Sequence, residues 1–565
     1  MQGRRALVTG VMRAMWRAGD VELREGRLLK TLWLTAQRRS LAFAQDWTFA
    51  DLLEWSAVEY RTRTFLEYGT DSWTFEEMNQ RANRVARQLR AAGVGPNTGV
   101  ALMMSNHPRF LDSFFAVQKL GAYAVPVNVA LMGDGLQYVI DHSDSSVVLC
   151  DCDAAPKVQA VVGQLPKVKH IWVNTAEAPD GFEAPEGMRP FDELEVAGDD
   201  DSENPGHRPE SDDPSMLLYT SGTTGLPKAV VSTYSNQRTK LLGMAANLIL
   251  NKEDKVYTCL PLFHANALLL SVMQALWVGI PLRLSKRFSA SRFWKELSEC
   301  GATIFNTVGG MIPIMLKTAE TPYEKQHKVR LVVSAACPKD AWETFETRFG
   351  VTLWEFYGAV DGAGVTIANT GTAPVGSLGK LPKNTNWRLV RDDGADAAPG
   401  EPGELWVDVG NRKESTVPYW KNDKASNDKV VDGWLHTGDL MQKDDKGFLY
   451  FVGRNTDSMR HGGENVSAYE VEKVVDAHPS ILESAAFGVP SPMSEEDIMV
   501  SVVLVEGETL DPVALRAFLA ERLPKYAVPS HLDVLESLPK TGTHRVIKAT
   551  LKERGVNDKT ISLAP

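Results

Sequence analysis

The sequence predicts an α/β protein in two parts, a large domain of layered sheets and helices followed by a small α+β domain. Three observations carry this. The chain has 565 residues, more than one hydrophobic core usually organises. Between about residues 99 and 150, short apolar runs alternate with stretches whose apolar residues fall at helical spacing, the rhythm of βαβ units on a parallel sheet. Beyond Gly453-Arg454-Asn455-Thr456-Asp457 enough chain remains for a compact domain of its own. The predicted organisation is a basic helical segment over 1–48, a large domain over 49–454 and a small, mobile domain over 455–565.

The N-terminal stretch carries Arg4, Arg5, Arg13, Arg17, Arg24, Arg27, Lys30, Arg38 and Arg39 against Asp20, Glu22 and Glu25. Val8, Met12, Met15 and Trp16 fall at helical spacing. Such a segment packs as a surface helix on its own domain, or lies on anionic lipid as a peripheral contact at the inner membrane face. Strand-like runs at 99–104, 122–128 and 146–150 then enclose helical patterns at 110–120 and 136–142. The stretch 176–214 is rich in Pro, Gly, Asp and Glu and is predicted to be a long surface connection. In the small domain, helices are expected at 468–477 and 511–522, with strands at 482–489 and 498–505.

Composition narrows the function classes. Hydrophobic residues make up 43% and charged residues 24%, ordinary for a globular protein. A net charge of −11 argues against a general nucleic-acid binder. No apolar run approaches the ~20 residues that cross a bilayer. Cys150, Cys152, Cys259, Cys300 and Cys337 show neither a disulfide framework nor a zinc spacing, so a reducing, cytoplasmic setting is expected.

The strongest chemical signal is Tyr219-Thr220-Ser221-Gly222-Thr223-Thr224-Gly225-Leu226-Pro227-Lys228 after the apolar run Met216-Leu217-Leu218. Glycines let backbone N–H groups turn inward around phosphate oxygens, hydroxyls add donors, and lysine adds charge. It is not the G-x-x-x-x-G-K-[ST] loop, because no lysine follows the second glycine directly.

This element resembles the phosphate loop of the adenylate-forming superfamily, which includes acyl-CoA synthetases, luciferases and peptide-synthetase adenylation domains. The resemblance extends in order and spacing from about Phe49 to Lys552. It implies an adenylate-forming large domain and a lid-like small domain that rotates between two half-reactions. Leu260-Pro261-Leu262-Phe263-His264-Ala265-Asn266 is similar to the motif bordering the acyl pocket, with Val308, Gly309 and Gly310 as further candidates. Ser334-Ala335-Ala336-Cys337-Pro338 resembles the loop against which adenine lies. Glu355-Phe356-Tyr357-Gly358-Ala359-Val360-Asp361 follows, with Tyr357 as the platform for adenine. Asp439, in His436-Thr437-Gly438-Asp439, matches the carboxylate that accepts from both ribose hydroxyls, as its two coplanar acceptors allow. Arg454 matches the arginine beside ribose and phosphate. Thr456 or Asp457 falls at the hinge, and Gly462-Gly463-Glu464 resembles the loop that meets the thiol.

Two places depart from the family pattern. The glutamate that holds Mg²⁺ is here Asp361, one methylene shorter, with Thr220 as a second metal-site candidate, and Val360 replaces a threonine. Near the end, Thr541-Gly542-Thr543-His544-Arg545-Val546-Ile547-Lys548 has Arg545 where the catalytic lysine stands, and the two cations differ in shape and hydration. Lys548 is the next candidate.

The resemblance implies an ATP-dependent acyl-CoA synthetase using Mg²⁺ and CoA. Pro126-Val127-Asn128 through Leu136, with Ile140-Asp141-His142-Ser143, looks like the fatty-acid-transport-protein and very-long-chain acyl-CoA synthetase group. Arg460 through Ser467 is also similar to the carnitine/crotonobetaine-CoA ligases. A medium- to long-chain fatty acid is the expected substrate. A small carboxylate, or a weakly catalytic nucleotide- or acyl-binding relative, is the alternative.

Overall fold

A computed structural model of the chain describes residues 48–198, 200–207, 209–220, 226–234, 246, 249–308, 311–391, 393–410, 417–454, 458–491, 495–505, 507–539, 546 and 548–563. The basic segment expected over 1–48 lies outside the described residues except for Thr48. Thr48 closes a capping box with Asp51 and starts the helix Phe49–Glu59.

Two large sheets build the first domain. One has seven strands in the spatial order Arg189–Pro190, His170–Asn174, Ser145–Asp151, Gly99–Met103, Tyr123–Pro126, Pro214–Thr220, Lys228–Thr233. Its inner strands are parallel, and the run Gly99–Met103 is buried at every position, as a strand covered on both faces requires. The helix Pro108–Lys119 follows, with proline at its first position. The last pair, Pro214–Thr220 and Lys228–Thr233, is antiparallel.

The second sheet has eight strands. Four of them, Val256–Thr258, Ile304–Val308, Leu331–Ala335 and Thr352–Gly358, are parallel neighbours in that order. Their carboxyl ends therefore form one rim, where ligands of open α/β sheets usually bind. A five-stranded antiparallel sheet carries Trp434–Lys443 and Leu449–Arg454.

The small domain holds the hairpin Ser458–His461/Glu464–Ser467 and a four-stranded sheet led by Ile481–Pro490 and Glu496–Leu504. Its core includes Val471, Val475, Ile498, Val500, Leu515 and Leu519, separate from the main core of the large domain. Among the described residues, no helix is long and apolar enough to cross a membrane.

Two expectations are corrected. The stretch 176–214 is not wholly a surface connection. Arg189–Pro190 adds an edge strand, and the 3₁₀ turn Phe191–Leu194 buries Phe191 and Leu194 against the main core. Sparse apolar residues among Pro and Gly hid this anchor. The run around Glu355, which alone would suggest an edge strand, is interior, between Leu331–Ala335 and Thr366–Asn369.

Candidate active site

The site is assembled along the rim of parallel strands. Strand Leu331–Ala335 ends at Ala336, whose φ of 70° is left-handed, a conformation costing an alanine roughly 1–2 kcal/mol. The neighbouring strand supplies what holds it there. Ser334 lies beside Glu355 in register, and the Glu355 carboxylate accepts the N–H of Ala336 at 2.5 Å and that of Cys337 at 3.2 Å, one on each oxygen. Glu355 is 3% exposed, and burial pushes its carboxyl up to about 7, against the two N–H groups that favour the charged form. Sequence reasoning placed Glu355 on the nucleotide; its carboxylate instead grips the loop expected beside adenine.

Two residues on, the Tyr357 hydroxyl donates to Asp439 Oδ2 at 2.6 Å. Asp439 is 3% exposed, and its own N–H donates to Thr437 Oγ1 at 3.1 Å. The Gly438 N–H is taken by Glu404 Oε1 at 2.8 Å, which fixes the turn where φ is 78°. Asp439 lies opposite Arg454 in the antiparallel ladder. Ala336, Tyr357, Asp439 and Arg454, far apart in sequence, thus share one neighbourhood through strand register and the Tyr357–Asp439 hydrogen bond. Gly358 ends its strand, while Phe356 pairs with Ala368 across the ladder.

Asp361 stands on the turn after that strand. Its Oδ2 accepts from the Tyr419 hydroxyl at 2.7 Å and faces Lys429 Nζ at 3.1 Å. Val360 packs with Tyr419, Val230 and Leu435 rather than offering a polar group. Thr220 and Lys228 pair across the hairpin whose connection is the predicted phosphate loop. Lys228 Nζ lies 5.6 Å from the centre of the Tyr419 ring. Ser221, Gly222, Thr223, Thr224 and Gly225 lie outside the described residues; of the stems, Lys228 lies by Tyr419, whose hydroxyl donates to Asp361. Tyr419 and Lys429 were missed in the sequence. Neither falls in a motif, and only the pairing of the Tyr419 segment with strand Lys228–Thr233 brings them in.

At the other end of the rim, Asn266 Oδ1 accepts from Asn306 Nδ2 at 3.0 Å, and Val308 closes its strand. Gly309 and Gly310 lie outside the described residues. His264 Nε2 is 3.1 Å from both carboxylate oxygens of Glu464, a contact between the domains. Gly462 and Gly463 have φ of 60° and 82°, and a Cβ on Gly463 would meet Val308 Cγ2 at 3.6 Å. The loop 462–464 of the small domain therefore sits at the acyl end of the rim. Asn128 Nδ2 adds a second interdomain bond, to the Tyr526 hydroxyl at 3.2 Å.

The remaining predicted residues fall elsewhere. Lys548 pairs with Glu472 at 2.7 Å within the small domain, so it is engaged in that domain's own packing rather than grouped with Asp361. Arg545, Thr456 and Asp457 lie outside the described residues.

This geometry joins Tyr357 to the buried Asp439, sets Lys228 of the hairpin by Tyr419, the hydroxyl partner of Asp361, and brings the loop 462–464 of the second domain to His264 and Val308. The AMP-binding enzyme family matches residues 53–411, and the AMP-binding enzyme C-terminal domain matches residues 470–545. The chain belongs to the AMP-binding enzyme family and is an AMP-forming acid–thiol ligase, whose reaction uses ATP, Mg²⁺ and CoA.

Among particular relatives, it is 31% identical to long-chain fatty acid transport protein 6 of Mus musculus, over 88% of this chain and 84% of that protein. It is 32% identical to crotonobetaine/carnitine–CoA ligase of Proteus mirabilis, over 85% and 93%. Among solved structures it is similar to a double mutant of o-succinylbenzoate CoA synthetase from Bacillus subtilis bound with a product analogue. There the TM-score is 0.74 with 25% identity, covering 89% of this chain and 98% of that one.

The donor set fits Mg²⁺ held mainly by the nucleotide. Asp361 offers one carboxylate and Thr220 one hydroxyl, and no group of three or more His, Cys, Asp or Glu side chains suited to a metal occurs among the described residues. Mg²⁺ commonly takes one or two protein carboxylates, with substrate phosphates and water completing its shell.

Proposed function

We propose that the chain converts a medium- to long-chain fatty acid into its acyl-CoA. The observation that carries this reading is the character of the acyl end. Its large-domain candidates His264, Asn266, Val308, Gly309 and Gly310 include no carboxylate and no Trp, Tyr or Phe with which to cage a quaternary ammonium, and the carboxylate that the small domain brings, Glu464, is taken by His264. Met311 and Ile312, buried just beyond, extend an apolar wall. The likeness to a long-chain fatty acid transport protein supports the same substrate, whereas the carnitine–CoA ligases support a small, charged one.

In this reading the carboxylate oxygen attacks the α-phosphorus of ATP, the bond to the bridging oxygen breaks, and pyrophosphate leaves. The thiol then attacks the acyl carbon of the adenylate, and AMP departs with the electron pair of the broken C–O bond. Asp439 accepts from the ribose hydroxyls and Tyr357 lies against adenine, while Glu355 fixes the loop on the opposite face. Thr220, Lys228 and the loop 221–225 hold the phosphates, and Arg454 lies beside ribose. Asp361 and Thr220 would hold Mg²⁺, which when bound would offset negative charge on the polyphosphate. Arg545 bridges carboxylate and α-phosphate during the first step. Gly462, Gly463 and Glu464 meet the thiol in the second step, a role supported by the contacts of Glu464 with His264 and of Gly463 with Val308. Thr456 and Asp457 act as the hinge.

The test is pyrophosphate release by the purified protein with Mg–ATP, with acids from two to about twenty carbons, and with carnitine and crotonobetaine, each with and without CoA. Release that rises with chain length and needs CoA for turnover supports the reading. Release confined to carnitine or crotonobetaine assigns the small-carboxylate class instead.

A further inference from the structure

Lys429 belongs to none of the motifs, yet its ammonium stands at the phosphate end of the site. It is the last residue of the short helix Asp423–Lys429, and its side chain is 14% exposed. The ammonium faces Asp361 Oδ2 at 3.1 Å and donates to the Thr437 carbonyl at 3.1 Å, two residues before Asp439. The same Oδ2 accepts from Tyr419. Tyr419 is fixed to the exit strand of the phosphate hairpin: Trp420 N–H donates to the Ala229 carbonyl at 2.8 Å, and Val231 N–H to that of Pro418 at 2.9 Å. Lys228 then approaches the Tyr419 ring, while Lys429 reaches the carboxylate that the Tyr419 hydroxyl holds. A largely desolvated ammonium is costly unless paired. Asp361 supplies that pairing in the nucleotide-free enzyme.

We propose that Lys429 is a second phosphate-site cation, which neutralises Asp361 in the nucleotide-free enzyme and passes to the polyphosphate when that carboxylate takes up Mg²⁺. This rests on the assignment of Asp361 to the metal. The ammonium and the metal compete for the same carboxylate oxygen but cooperate on the phosphates. Part of the gain that Mg²⁺ adds to ATP binding therefore comes from the cation that it releases.

The experiment is calorimetric titration of ATP into the full chain, with excess Mg²⁺ and separately with EDTA, for wild type, Lys429→Met, Lys429→Arg and Asp361→Asn. Lys429→Met is expected to weaken Mg–ATP about tenfold or more and metal-free ATP less than about threefold, with Lys429→Arg recovering most of the loss. Equal weakening in both conditions, or none in either, overturns the proposal. Asp361→Asn frees the ammonium, so metal-free ATP binds at least as tightly as in wild type while the gain from Mg²⁺ disappears. Should Lys429→Met fail to fold, this variant decides alone, and weaker metal-free binding in it overturns the proposal. An intact Mg²⁺ gain in Asp361→Asn overturns instead the assignment of Asp361 on which the proposal rests.

Discussion

At the nucleoside end of the site, Glu355 and Asp439 are both 3% exposed, and each carboxylate is held from another element: by the N–H groups of Ala336 and Cys337 for one, by the Tyr357 hydroxyl for the other. At the phosphate end, the Asp361 side chain is 22% exposed and is met by the ends of two long side chains, the Lys429 ammonium and the Tyr419 hydroxyl. The difference follows from what each end must do. A nucleoside is recognised by fixed shape and directed hydrogen bonds, so its acceptors are locked by backbone. Phosphates change charge and connectivity during the reaction, so their partners must exchange. Pre-organisation favours burial at the first end and adjustable charge at the second.

The largest effect should come from breaking the nucleoside end. Asp439→Ala removes the proposed ribose acceptor and the carboxylate to which the half-buried Tyr357 hydroxyl donates. It is expected to lower ATP–pyrophosphate exchange by roughly 10²–10³; a loss below tenfold would show that this end is not locked as described. Tyr357→Phe, measured alongside, should cost far less, because it removes only the donor.

Glu355 sharpens the comparison through pH. Its folded pKa, about 7, lies above the ordinary 4.5, so folding takes up a proton between these values. Stability should fall as pH rises from about 4.5 to 7, by roughly 3 kcal/mol attributable to this group, and level off above. The affinity for ATP should move oppositely, strengthening as the carboxylate forms, because only the anion accepts both N–H groups without a competing O–H. Glu355→Gln is expected to abolish the pH slope of stability, seen in denaturant titrations from pH 5 to 8, and to weaken ATP about tenfold at every pH. Adding Ala336→Gly, which relieves the left-handed strain, should stabilise the fold by about 1 kcal/mol.

The interdomain contacts should matter least, and for one half-reaction only. Glu464→Gln or His264→Ala removes a partly exposed pair worth up to about 1 kcal/mol. CoA-dependent turnover should drop about three- to tenfold while ATP–pyrophosphate exchange is unchanged. If exchange falls equally, the loop 462–464 serves both steps and the two ends are not separable. Tyr526→Phe, which removes the bond from Asn128, should give a still smaller change of the same selectivity.

Much of the nucleoside end was legible in sequence because its residues sit in contiguous runs at strand ends, where glycines and hydroxyls stand out from apolar patterns. Tyr357, Asp439 and the stems of the hairpin fall where those runs predict. The phosphate end was only half legible. Asp361 was marked by its motif, but the residues that engage it come from 58 and 68 positions away, from a segment without any motif, Tyr419-Trp420-Lys421 through Lys429. Glu355 was legible as a site residue and misassigned, since a strand residue's neighbour is set by register and not by its own sequence.

By itself, then, the sequence determined the family, the two-domain plan, the order of strands and helices, and the chemical types available for nucleotide and thiol. These follow from local propensity, hydrophobic period and contiguous motifs, all of which are written along the chain. Only the tertiary structure decided that Glu355 grips the loop at Ala336, that Lys429 faces Asp361, and that Glu464 meets His264. The physical reason is that each is a contact between side chains brought together by sheet register or domain docking. The free energy that selects such partners comes from burial and charge in the assembled fold, to which no single segment has access.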